Sequence, residues 1–89
     1  MKHPQTVEGY DGTLKELARA IVNMSYERTA YFIGCMSDCL SEDGISDERR
    51  GRPVVSAHLR NAGILLYEGK KEVDKAWKVC KPYMKKEKK

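Results

Sequence analysis

Apolar residues recur at helical spacing through two long stretches of this chain, and the polar segment 43–52 separates them. From Thr13 the sequence reads TLKELARAIVNMSYERTAYFIGCMSDCLSEDG. Stepping 100° per residue, Leu14, Leu17, Ala18, Ile21, Val22, Met24, Thr29, Phe32, Cys35, Met36, Cys39 and Leu40 fall in one arc, with Glu16, Arg19, Asn23, Glu27, Ser37 and Asp38 opposite. Thr13 with Glu16 three residues on is a capping box, and Asp43-Gly44 reads as the matching stop. The phase does not slip at Asn23-Met24-Ser25, as a break there would make it, so the pattern predicts one helix over about 13–42. Behind Pro53, which suits a first helical turn, Val55, Leu59, Ala62, Leu65, Leu66, Gly69, Val73, Ala76, Trp77 and Cys80 share a second face. Pro82 is expected to end or kink that helix, which places it over about 53–81.

The predicted fold class is all-α, a long antiparallel helical hairpin. Both apolar stripes are wider than one partner helix can cover, so pairing as a dimeric four-helix bundle is expected. Leu17, Ile21, Phe32, Met36, Leu59, Leu66, Val73 and Trp77 are the candidate core and dimer residues. The alternative is a monomeric three-helix bundle broken at Gly69, where an interior glycine costs about 1 kcal/mol relative to alanine. Without a break, Gly69 on the apolar face is expected to let a neighbour approach closely.

Length bounds this picture. Eighty-nine residues make one domain, and a domain of that size buries only about 60% of its unfolded surface, so its core is marginal alone. No apolar stretch is long enough to span a membrane, and MKHPQTVEGYDG lacks the apolar centre of a secretory signal. The organisation expected is a flexible leader (1–12), the hairpin domain (13–81) and a basic tail (82–89) in a cytoplasmic protein. Three cysteines, an odd number, are most simply small buried apolar residues in a reducing compartment.

Charge divides the chain. Residues 1–69 hold 8 Lys and Arg against 10 Asp and Glu, while residues 70–89 hold 9 lysines against 3 acids. A near-neutral body therefore carries a basic end. Lys71, Lys75 and Lys78 line the face opposite Val73, Ala76 and Cys80, and Lys85 and Lys86 follow Pro82. Clustered cations of this kind bind phosphate without reading sequence.

Four shorter features carry candidate chemistry. Arg50-Gly51-Arg52-Pro53 within ERRGRPVV resembles an AT-hook, which implies an extended segment in an A·T minor groove. Its flanks, Asp47-Glu48 and Val54-Val55, are acidic and apolar, and it lies where the hairpin needs its turn. Gly51 can supply a left-handed backbone there and Pro53 can start the second helix, with Arg49, Arg50 and Arg52 solvated and able to touch phosphate. Arg52 and His58 resemble the Arg-x5-His signature of HEPN-type ribonucleases, which implies a metal-independent RNA-cleaving pair meeting across a dimer. The polar residue usual after that arginine is Pro53 here. Cys35 and Cys39 share a helical face with His58 in register, without the Cys-x2-Cys knuckle of structural zinc sites, so no metal or other cofactor is expected. Arg28, alone among charges in the first apolar arc, needs a partner if buried or a path to water if not.

The functional expectation is a small non-enzymatic helical interaction module, homodimeric, acting through an unidentified protein partner and not at a membrane. The alternative is a weakly specific nucleic-acid-binding regulator, of RNA or DNA, using Arg49, Arg50, Arg52, Lys71, Lys75, Lys78, Lys85 and Lys86. Its architecture resembles that of plasmid copy-number regulators of the hairpin-dimer type, a likeness of shape alone.

Overall fold

The computed structural model describes residues 3–87, with side chains as far as Tyr83. Three helices follow in order: α1 (Leu14–Asn23), α2 (Tyr26–Arg49) and α3 (Pro53–Glu87). No strand occurs among the described residues, and no helix among them is long and apolar enough to cross a membrane.

The helix starts follow their caps. The Glu16 N–H donates to Thr13 Oγ1 at 3.0 Å and the Thr13 N–H donates to Glu16 Oε1 at 2.8 Å, the reciprocal pair of a capping box. The single helix expected over 13–42 is two helices. Met24 and Ser25 turn to extended ψ values of 169° and 150°, and Ser25 caps α2 by accepting from the Arg28 N–H at 3.4 Å. The Thr29 hydroxyl donates across the bend to the Ile21 carbonyl at 2.7 Å, so α1 folds back against α2 with the apolar phase intact. That is why periodicity alone missed the break.

The expected stop at Asp43-Gly44 is also overturned: α2 runs on to Arg49. The corner comes at Arg50–Arg52, where Gly51 takes a φ of 79°. The Gly51 N–H donates to the Glu48 carbonyl and the Arg52 N–H to the Asp47 carbonyl, which is a Schellman closure, and Pro53 opens α3. α3 then passes through both residues expected to interrupt it. Gly69 is exposed, with open space where a Cβ would stand, so it neither breaks the helix nor admits a neighbour. Pro82 lies on an exposed stretch where the Lys78 carbonyl it leaves free can bond to water, and α3 continues to Glu87.

α2 and α3 form an antiparallel hairpin joined along small residues. Ala30, Ser37 and Gly44 on α2, and Ser56 and Gly63 on α3, are buried there. The Ser37 hydroxyl donates to the Gly63 carbonyl at 2.7 Å. A Cβ on Gly63 would stand 3.2 Å from the Ser37 carbonyl oxygen, and one on Gly44 would stand 3.3 Å from that of Ser56. The close approach is therefore made at Gly44 and Gly63, not at Gly69. α1 packs on α2 only. The result is a slab 55 × 29 × 14 Å with a radius of gyration of 16.2 Å, against about 12 Å for a compact chain of this length.

Candidate functional site

A seam of small residues brings the helices close but leaves the large apolar residues to its sides. On α2 the seam runs through Ala30, Gly34, Ser37, Ser41 and Gly44; on α3 its small residues are Ser56 and Gly63, Arg60 and Lys70 lie against Gly44 and Gly34, and Tyr67 and Asp74 continue the same spacing. The residue just before each seam position is mostly apolar: Thr29, Ile33, Met36 and Leu40 on α2, and Val55, Leu59, Ala62, Leu66 and Val73 on α3. Two antiparallel helices are related by a two-fold axis normal to their common plane, so equal offsets from the seam fall on the same side. The cavity of about 660 Å³ at the closed end agrees, since Asp43 and Asp47 line it together with Val55 and Leu59.

That side of the slab is consequently apolar along Ile33, Met36 and Leu40 of α2 and Leu59, Leu66 and Val73 of α3, and turns polar at the closed end, where Asp43, Ser46, Asp47, Arg50 and Arg52 line the cavity. α1 lies over part of this side, and Leu17, Ile21 and Val22 enclose with Phe32, Ile33 and Met36 a trough of about 380 Å³. The cover is partial: Phe32 stays 38% exposed, Met36 42% and Leu14 59%. Of the candidate core residues, Leu17, Ile21, Leu59, Leu66, Val73 and Trp77 are half-buried and Phe32 and Met36 exposed. Ala30 is the one buried apolar residue among the described residues. The surface of 7560 Å² compares with about 5,300 Å² expected for a folded monomer of 10.2 kDa.

The opposite side is mixed: Tyr31, Cys35, Ile45 and Ile64, all exposed, follow the seam directly, and charge is concentrated towards the far end of α3. The residues just after the seam include Asp38 and Glu42 on α2 and Glu68, Lys71, Lys75 and Lys78 on α3. Lys71 pairs with Glu68 at 3.7 Å and lies 5.1 Å from the centre of the Tyr67 ring; Lys75 pairs with Glu72 at 3.0 Å. Lys78 is exposed, and the side chains of Lys85 and Lys86 lie outside the described residues. At the seam, a hydrogen bond to Asp74 at 3.0 Å holds Lys70 above its ordinary pKa against the opposing pull of desolvation.

The segment that resembles an AT-hook is a closed corner. Arg49 ends α2, Arg50 is its C-cap, and Arg52 pairs with Asp47 at 3.4 Å while Arg60 pairs with Glu48. A backbone bonded into α2 at each of these residues is not extended for a minor groove. Arg52 lines the closed-end cavity, which His58 does not, and His58 stands exposed on α3. Cys35 and Cys39 are exposed and Cys80 half-buried, which corrects their reading as buried filler: Cys35 flanks the seam beside Gly34, and Cys39, two positions from both Ser37 and Ser41, faces away from it. No group of three or more His, Cys, Asp or Glu side chains able to hold a metal occurs among the described residues. Arg28 is exposed and lies 5.4 Å from the centre of the Tyr31 ring. Sequence reasoning found the apolar residues but missed the glycine-serine seam that sets which way they face.

These features define a class: an all-α hairpin with a close seam at Gly44 and Gly63 and a largely apolar side partly covered by α1. Comparison with protein-family models, curated proteins and solved structures finds no match to the chain.

Proposed function

We propose that this chain is a small non-enzymatic helical interaction module that works by protein–protein contact through its apolar side. The observation that carries the reading is the near-absence of an apolar interior, Ala30 being the one buried apolar residue among those described. A slab one helix thick over most of its area cannot bury such side chains by itself. A second layer is needed, and a second copy supplies one with matching length and chemistry. Two hairpins facing each other through Phe32, Met36, Leu59 and Leu66 make a dimeric four-helix bundle. The surface excess of about 2,200 Å² over a compact monomer exceeds the ~800 Å² per partner of a standard interface. A further protein partner would meet the same side or the edges that the dimer leaves open.

The test is the concentration dependence of unfolding. Dimerisation raises the wild-type Tm with protein concentration, because the partner binds only the folded state. Met36→Asp and Leu66→Asp each abolish that dependence. Equal slopes for wild type and both variants would refute the reading.

A second reading, sequence-independent nucleic-acid binding, rests on Lys71, Lys75 and Lys78 sharing the opposite side. The carboxylates of Glu68 and Glu72 beside two of them weaken it. Anisotropy with a structured RNA, an A·T-rich duplex and a G·C-rich duplex at two salt concentrations separates the readings. Binding that survives physiological salt and falls in a Lys71→Ala/Lys75→Ala/Lys78→Ala variant would favour the second.

A further inference from the structure

We propose that α1 is a gate over the dimer-forming side, and that it opens by straightening at Met24–Ser25 into one helix with α2. The proposal rests on the dimer reading above and adds its regulation.

Three observations meet here. First, the bend is slight in covalent terms. Met24 has a φ of −66° and Ser25 a φ of −54°, both helical values, so only two ψ angles separate the bent chain from a continuous helix. Neither Gly nor Pro stands between Asn23 and Tyr26 to forbid that helix. The Ile21 carbonyl, now bonded by the Met24 N–H at 3.3 Å and the Thr29 hydroxyl, would take the Ser25 N–H instead.

Second, the apolar phase of α1 continues that of α2. Leu14, Leu17 and Ile21 would extend the stripe of Phe32 and Met36 along the same face instead of covering it. The side chains now enclosed against α1, Phe32, Ile33 and Met36, would open to a second copy.

Third, α3 has no helix opposite its far end. Ser37 bonds Gly63, and Gly34 lies against Lys70, so α2 begins opposite about residues 74–78 and α3 runs on alone to Glu87. Val79 in that overhang is 72% exposed. α1 touches α3 nowhere in the bent form. A continuous helix over residues 14–49 would be about 54 Å long, beside about 52 Å for the 35 residues of α3. The straightened chain is thus a hairpin of matched arms, with Lys15, Glu16 and Arg19 of α1 brought alongside the far end of α3.

Proline and alanine at position 25 separate the two forms. Ser25→Pro suits the bent form, whose φ of −54° and preceding ψ of 169° are what proline requires, and is disfavoured in the straight helix, where it removes the N–H that would bond the Ile21 carbonyl. Ser25→Ala removes the α2 cap and favours the straight helix about fivefold in each chain, strengthening dimerisation by up to about 25-fold because both copies straighten. The distance between spin labels at Lys15→Cys and native Cys39, with Cys35→Ser and Cys80→Ser, reads the state directly. The straight helix sets it at about 36 Å, and the bent form makes it much shorter.

In the wild type the long distance should appear as the dimer forms. Ser25→Pro should keep the short distance at every concentration and weaken dimerisation at least tenfold, while circular dichroism confirms that it remains helical. A dimer that forms with α1 still folded back, or a Ser25→Pro chain that dimerises like wild type, overturns the gate and leaves the dimer standing. A wild-type chain that stays monomeric at all concentrations overturns both.

Discussion

Gly63 and Gly69 both lie inside α3, and an alanine at each isolates what the helix seam demands. Alanine in place of glycine in a helix interior stabilises by about 1 kcal/mol through backbone entropy, and that gain is common to both sites. At Gly69 the new methyl meets open space. The whole gain should therefore appear, raising Tm by about 5 °C for a chain of this size. At Gly63 the methyl would stand 2.9 Å from Ser41 Oγ and 3.2 Å from the Ser37 carbonyl oxygen. The serine hydroxyl can rotate away, but the carbonyl belongs to α2, so the helices must separate by a few tenths of an ångström. Overpacking of this kind costs about 1–3 kcal/mol. Gly63→Ala should thus lie between neutral and about 2 kcal/mol destabilised. The difference between the two variants, about 1–3 kcal/mol, is the steric term alone. Urea unfolding of both at one protein concentration measures it. If Gly63→Ala proved as stabilising as Gly69→Ala, the close seam would be wrong, and with it the placing of Met36, Leu59 and Leu66 on one side.

Other consequences are as direct. Ser37→Ala deletes the buried hydrogen bond to the Gly63 carbonyl and should cost about 1 kcal/mol in the same unfolding assay. Gly51→Ala forces a Cβ into the left-handed backbone of the corner and should cost about 1–2 kcal/mol, whereas Arg50→Ala should cost little. In the folded protein Cys35 and Cys39 should react rapidly with a thiol reagent and Cys80 more slowly, which mass spectrometry of the labelled peptides resolves.

The legible parts of this fold were those written in local chemistry. Thr13 and Glu16 marked a helix start, and Gly51 with Pro53 marked the corner, because caps and turns depend on a few adjacent residues. The bend at Met24–Ser25 was hidden because the apolar phase runs through it unbroken; Ser25, a good N-cap followed by Glu27, was the available signal. Gly44 misled for a different reason. A glycine after an aspartate resembles a helix stop, yet it belongs to the series Ala30, Gly34, Ser37, Ser41, Gly44, which recurs with a seven-residue period and answers Ser56 and Gly63 across the seam. Attention to large side chains concealed a contact made by small ones. The candidate surface was half legible: its residues followed from the stripes, but which way they face depends on the seam. The cationic residues 49–52 looked like a binding element in sequence and are bonded into a corner in the fold.

Sedimentation equilibrium across a concentration range from nanomolar to high micromolar tests the central claim most directly, that the apolar side is made for a second copy. The account predicts a reversible shift from the 10.2 kDa chain to a species of about 20 kDa, lost in Met36→Asp. A single species of 10.2 kDa throughout, stably helical, would contradict it.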